Sequence, residues 1–176
     1  MKKRVLIIDG YNVIRNNKRY LGLGCDFDGK ETWNKAREAL INDASVMSAD
    51  DFNRIVVVFD GAGNSFSDGK PTNKAGVEVI FSPSGTDADS VIEKLALDIR
   101  KNGGQALVVS SDYNIQKTVF GGGITRMSAS AFASESEEND IERKEHMRNV
   151  INKTTIASRL DDKTINQLEA LIQNKL

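Results

Sequence analysis

Val5-Leu6-Ile7-Ile8-Asp9-Gly10-Tyr11-Asn12 is the stretch that decides how this chain is read. Four consecutive apolar residues, most of them β-branched, mark a strand covered on both faces; a strand with one wet face would alternate. An acid follows at once. In an open α/β sheet, ligands bind outside the carboxyl ends of the strands, so Asp9 stands where a site is expected. The same grammar recurs downstream. Ile55-Val56-Val57-Val58-Phe59 runs into Asp60, and Ala106-Leu107-Val108-Val109 is followed by Ser110, Ser111 and Asp112. A fourth run, Val77-Glu78-Val79-Ile80-Phe81, partly alternates and is expected nearer a sheet edge.

Helical spacing fills the intervals. Trp33, Ala36, Leu40, Ala44 and Met47 recur every three or four residues, as do Val91, Ile92, Leu95, Ala96 and Ile99. Gly103-Gly104 then offers a left-handed stop. Strand, helix, strand, strand, helix, strand predicts an α/β domain with a mainly parallel central sheet flanked by helices. Past Gly121-Gly122-Gly123, a turn, Ile124–Met127 reads as a last short strand, with Ser128 capping a helix. Residues 134–148 predict an exposed charged helix. Asp161 or Asp162 caps a final amphipathic helix carrying Ile165, Leu168, Leu171 and Ile172. The segments 15–30, 61–75 and 82–86, rich in Gly, Asn, Ser and Lys, read as loops.

Composition narrows the chemistry. At 176 residues the chain suits one well-buried domain. Twenty-four Lys plus Arg against 25 Asp plus Glu give a net charge of −1, so any polyanion must be held by a local basic patch. One cysteine, Cys25, and one histidine, His146, exclude an internal disulfide and the usual zinc modules. The apolar run after Met1-Lys2-Lys3-Arg4 is too short for a secretion signal, and no segment reaches the roughly 18 apolar residues of a membrane span. A cytoplasmic location is expected.

Three strands thus deliver Asp9, Asp60 and the Asp112 region to one edge. The helix after the fourth run adds Asp89, with Glu93 four residues on along the same face. Four carboxylates about 6.5 Å apart, at an effective dielectric of about 20, repel by about 2.5 kcal/mol per pair. Over six pairs that is on the order of 15 kcal/mol, comparable with the stability of a whole domain. A cation belongs there, or some carboxyls are protonated. Without His or Cys, all-oxygen ligands favour Mg²⁺ or Mn²⁺ over zinc.

Plainer roles compete. Asp9-Gly10 and Asp60-Gly61 are hairpin dipeptides, although neither is followed by an obvious return strand. Thr86-x-x-Asp89 resembles a capping box. Asp87 competes with Asp89 for the site role, and Asp89 is preferred. Asp112 alone would serve as a strand-end cap. Trp33 reads as core, His146 as solvated and Cys25 as an incidental thiol.

Taken in order, Asp9-Gly10-Tyr11-Asn12, Val58-Phe59-Asp60, Val77–Phe81, Ala88-Asp89 with Ile92–Ala96, Ser111-Asp112-Tyr113, Phe120-Gly121 and Arg126-x-Ser128-Ala129 resemble the YacP-like branch of the NYN domain family, which shares the PIN-like nuclease fold. The resemblance covers about residues 4–135 and rests on the order and spacing of these blocks. It implies a PIN-like three-layer sandwich over residues 1–135, with residues 136–176 a C-terminal helical extension on or beside the same domain. It also implies a metal-dependent endoribonuclease, in a branch linked to cleavage of mRNA on the ribosome. Carried over by position, Asp9, Asp89 and Asp112 match the acidic metal-binding positions and Asn12 the strand-end asparagine. Residues 15–30 and 63–74 match no pattern of the family, so substrate choice is left open.

The expected reaction is phosphodiester hydrolysis, with one or two Mg²⁺ ions on Asp9, Asp89 and Asp112 activating water. Asn12 would orient a ligand or phosphate. Ser111 would brace a carboxylate, and Glu93 and Asp60 would support from outside. Arg15, Lys18, Arg19 and Lys30 follow the first strand, and Lys70 and Lys74 the second, as candidate phosphate grips. Tyr11, Tyr20 or Tyr113 could stack an unpaired base. Two other classes stay open: a non-catalytic RNA- or ribosome-binding module, and a haloacid-dehalogenase-type phosphatase. The latter ranks low because Tyr11 stands where an Asp-x-Asp motif needs its second acid.

Overall fold

The computed structural model describes residues 4–24, 33–47, 52–61, 68–119 and 121–154. Six strands form one sheet: β1 Arg4–Asp9, β2 Arg54–Phe59, β3 Thr72–Lys74, β4 Val77–Phe81, β5 Gln105–Val109 and β6 Ile124–Met127. Their spatial order is β3-β4-β2-β1-β5-β6. All neighbours are parallel except β3, which runs antiparallel to β4. The sheet is therefore mixed only at one edge. Starting from β1, the chain builds outward through β2 and β4, then returns to the other side of β1 with β5. The order reverses between β1 and β5, where a crevice opens at the strand ends.

Period-two alternation explains why the three central runs are continuously apolar. Leu6, Ile8, Ile55, Val57, Phe59, Leu107 and Val109 pack into one core, and Val5, Ile7, Val56, Val58, Ala106 and Val108 into a second core on the opposite face. The first core is covered by α1 Gly10–Arg15, α2 Lys18–Leu21, α3 Asn34–Val46 and the start of α6 Ala129–Thr154, through Val13, Ile14, Tyr20, Ala36, Leu40, Ala44, Ala129 and Phe132. The second is covered by α4 Ala88–Lys101 and α5 Tyr113–Thr118, through Ile92, Ala96, Ile115 and Val119. This is the three-layer α/β arrangement expected.

Several sequence expectations are corrected. The segment read as a loop from residue 15 contains α2, because Asn17 caps it by accepting from the Arg19 amide at 2.9 Å and Tyr20 is fully buried. The 61–75 segment contains β3, closed onto β4 through Ala75 and Gly76, both in the left-handed region. Thr86 and Asp89 do not form a capping box: Asp87 caps α4, its carboxylate accepting from the Ser90 amide at 2.8 Å. Asp9-Gly10 is no hairpin either, since Gly10 begins α1 with Asp9 as its cap. Ser128 does cap α6, accepting from the Ala131 amide at 3.1 Å. Lys30, Cys25 and the final helix carrying Ile165 to Ile172 lie outside the described residues.

The chain divides into two units, Met1–Ser136 and Glu137–Leu176. In the second, residues 137–154 are helical, and Ile141 and Met147 are exposed. Among the described residues no helix is long and apolar enough to cross a membrane.

Candidate active site

The pleat sets which way the strand-end side chains point. Asp9 continues the parity of Val5 and Ile7, Asp60 that of Val56 and Val58, Ser82 that of Ile80, and Ser110 that of Ala106 and Val108. All four fall on the α4 side, at the carboxyl edge. Neighbouring strands then pair them. The Ser110 hydroxyl donates to an Asp9 oxygen at 3.0 Å, and the Ser82 hydroxyl to an Asp60 oxygen at 3.3 Å. Each serine also accepts a backbone amide, from Asp112 at 3.0 Å and from Gly61 at 2.9 Å. Both serines are fully buried. The two serines act differently: Ser110 ties Asp9 to the loop after its own strand β5, whereas Ser82 ties Asp60 and the next residue, Gly61, to the end of β4.

An open cavity of about 470 Å³ lies over these ends. Five acids line it: Asp9, Asp60, Asp87, Asp89 and Asp112. Tyr11, Asn12, Arg15, Asn16 and Trp33 also line it, supplied by α1, its C-terminal cap and the residue that caps α3. The four acids expected to converge thus share one cavity, and Asp87 joins them.

Asp9 is the buried member, 6% exposed. Desolvation pushes its carboxyl up to about 6. The bonds from Ser110 and from the Asn12 amide at 3.3 Å oppose that rise, and the charges of Asp89 and Asp112 add to it. Asp89 is also raised, first by desolvation and then by the charges of Asp112, Asp87, Glu93 and Asp60. Asp87 moves the other way because the Ser90 bond holds it ionised. Asp112 caps α5 by accepting from the Asn114 amide at 2.7 Å. Among the described residues no Lys or Arg pairs with Asp9, Asp89 or Asp112. In the side-chain positions seen, no three His, Cys, Asp or Glu among the described residues stand close enough to hold one metal ion.

Other expected residues fall into place differently. Asn12 lines the cavity, but its side-chain oxygen accepts from the Ser111 amide at 2.8 Å, so it clamps the loop after β5. Ser111 does not brace a carboxylate. It has the parity of Leu107 and Val109, and its hydroxyl accepts from the Ala129 amide at 3.1 Å, on the opposite face of the sheet. The charge of Glu93 contributes to raising Asp89, but Glu93 itself lines a separate hollow with Leu97 and Arg100.

Of the expected cations among the described residues, Arg15 alone lines the cavity, its guanidinium 5.7 Å from the centre of the Tyr11 ring. Lys18 is exposed on α2. Arg19 is committed elsewhere: it pairs at 2.9 Å with Asp43, a buried acid that also accepts from the Tyr20 hydroxyl at 2.7 Å. Lys70 pairs with Asp68 at 2.8 Å, and Lys74 lines a small hollow with Arg37, Phe59 and Phe81. Tyr113 is 72% exposed beside Asp112.

Sequence reasoning missed Ser110, Ser82 and Trp33. The serines were legible from strand parity, which separates Ser110 from Ser111. Trp33 has no such signal, since its helical spacing fits a core residue equally well.

Comparison with known proteins agrees with this architecture. A family model described as the YacP-like NYN domain matches residues 6–173. The chain is 35% identical over 142 residues to the protein YacP of Bacillus subtilis strain 168, covering 80% of each. It is similar to the crystal structure of Rae1 (YacP) from Bacillus subtilis, with a TM-score of 0.69 and 29% identity, covering 98% of this chain and 96% of that one. A mutant form of Rae1 matches with a TM-score of 0.68 and 31% identity, over 87% and 86% of the two chains. The family match extends beyond residue 135, into a stretch where no motif was recognised.

Proposed function

The chain belongs to the YacP-like NYN domain family, and on that premise we propose that it is a metal-dependent endoribonuclease. The substrate is RNA, taken as mRNA in association with the ribosome, in the cytoplasm. Residues 1–135 form the nuclease domain and residues 136–176 a helical extension to it.

One observation carries this reading: five carboxylates from separate strand ends and one helix start line a single cavity, and the buried one is raised to about 6 with no Lys or Arg paired to it among the described residues. The donor set is oxygen only, which suits Mg²⁺ or Mn²⁺. Asp9, Asp89 and Asp112 are the residues to hold the ion. Asp89 accepts no hydrogen bond among the described residues and is the ligand with freedom to turn. When bound, such an ion lowers the pKa of water and stabilises the leaving oxygen.

The chain's own groups do the rest. Ser110 keeps Asp9 oriented and favours its ionised form, Asn12 holds the loop carrying Asp112, and Ser82 holds Asp60. Arg15 offers a positive charge to a backbone phosphate at the rim. The test is RNA cleavage in Mg²⁺ by Asp9→Asn and Asp89→Asn. Both are expected to lose activity while folded, and a folded variant cutting at near wild-type rate ends the proposal. The separation of the acids in the positions seen favours the other reading, a non-catalytic RNA-binding module. A wild-type protein that binds RNA but never cuts it, in Mg²⁺ or Mn²⁺, would establish that reading.

A further inference from the structure

The aromatic residues lining the cavity have their own construction. Trp33 is partly buried where α3 begins, meets Tyr11 edge-on at 6.4 Å between ring centres, and lines the cavity beside Arg15. Its position is fixed from behind. A Cβ on Gly24 would come within 2.6 Å of the indole, so the backbone there lies directly against the ring. Tyr11 is fixed in turn, with its ring 5.1 Å from Phe59 and its hydroxyl accepting from Arg37 at 2.7 Å. Two aromatic side chains are thus held rigid, with part of the indole left facing the cavity. An ordinary core tryptophan would not line an open cavity shared with five carboxylates.

We propose that Trp33, supported by Tyr11, is a nucleobase subsite that stacks an unpaired base next to the phosphate placed at the acids. This rests on the nuclease reading and deepens it: the substrate is a single strand, because a base inside a duplex cannot present its face to the indole. Stacking on aromatic side chains tolerates any base, so the subsite selects for an unpaired strand and not for a sequence. Arg15, exposed and 5.7 Å from the Tyr11 ring centre, would hold the phosphate that links the stacked base to its neighbour.

The chain's only tryptophan is Trp33, so intrinsic indole fluorescence reports on this subsite alone. The experiment titrates full-length protein with a short oligoadenylate, with an abasic ribose-phosphate oligomer of equal length, and with duplex RNA, each in Mg²⁺ and in EDTA. Quenching by oligoadenylate in at least one condition, with little from the other two, is expected. Trp33→Ala should weaken oligoadenylate binding roughly 10- to 100-fold and leave abasic binding unchanged, while Trp33→Phe, which keeps a ring, retains most of the affinity. Arg15→Gln should weaken both oligomers alike. Absence of quenching in both conditions overturns the subsite. So does equal quenching by the abasic oligomer, or oligoadenylate affinity undiminished in Trp33→Ala. Quenching without any RNA cleavage by the wild type would instead sink the nuclease reading and leave the subsite standing.

Discussion

The hydroxyl of Ser110 lies 3.0 Å from a carboxylate oxygen of Asp9, joining residues 101 positions apart. The bond spans the crevice between β1 and β5, and the same hydroxyl accepts the Asp112 amide. Two of the three proposed metal-binding acids therefore share one small buried group.

Ser110→Ala follows directly. Losing the donated hydrogen bond removes a force that favours ionised Asp9, so its carboxyl rises further above about 6. The acid limb of the cleavage profile should move to higher pH, with activity near neutrality down roughly 10- to 100-fold. Ser111→Ala, acting on the other face, should leave the position of that limb unchanged. A pH–rate profile for each variant checks both.

The burial of Asp9 has a stability consequence with a definite sign. The folded pKa, about 6, lies above the ordinary value of 3.8, so the folded state binds the proton more tightly than the unfolded one. Charging the group is therefore a penalty that grows as pH rises from about 4 to about 6 and is complete above that. Its size is up to about 3 kcal/mol. In EDTA, Asp9→Asn should be more stable than wild type near neutral pH and no more stable at about pH 4. Urea unfolding at both pH values measures this, and a gain confined to acid pH would contradict it.

Mg²⁺ or Mn²⁺ should stabilise the fold by mass action, by about 2.7 kcal/mol at a hundredfold excess over Kd, and so raise the melting temperature. The gain should shrink below about pH 6, where protonated Asp9 competes with the ion. Asp89→Asn should lose most of it. Thermal melts across a metal titration provide the measurement.

Gly10→Ala tests the start of α1. A Cβ there would collide with the Phe59 ring. Phe59 cannot swing away, because it lies 5.1 Å from Tyr11 and is stacked at 5.4 Å on Phe81. A loss of about 1–3 kcal/mol is expected, read by chemical denaturation, with a further loss of activity through displaced Asp9.

Asp43→Ala should cost about 1–3 kcal/mol, since Arg19 and the buried Tyr20 hydroxyl each lose a hydrogen bond to its carboxylate. RNA affinity and its salt dependence should change little, because this pair faces α3 and not the cavity. A salt titration of binding alongside a denaturation curve separates the two effects.

What could be read from residues alone was whatever hydrophobic burial dictates locally. Val5–Ile8, Ile55–Phe59 and Ala106–Val109 announce doubly covered strands, and the acids that follow them must then stand at one sheet edge. Short elements escaped for a physical reason. Lys18–Leu21 carries too few residues to nucleate a helix by itself and forms one because Tyr20 is buried and Asn17 caps it. Thr72–Lys74 is wholly exposed and has no apolar pattern; it is a strand through its pairing with β4.

The candidate site divides along the same line. The identity of Asp9, Asp89 and Asp112 as an acidic set was legible, because strand ends and helix starts are local features. Tertiary structure decided their partners: that Ser110 and not Ser111 braces Asp9, that Arg19 is bound to Asp43, and that Trp33 lines the cavity. Each depends on which face of a strand or helix meets a segment distant in sequence. Burial pattern specifies an element and its apolar side, but only the packed fold sets which polar groups across that side come within hydrogen-bonding reach.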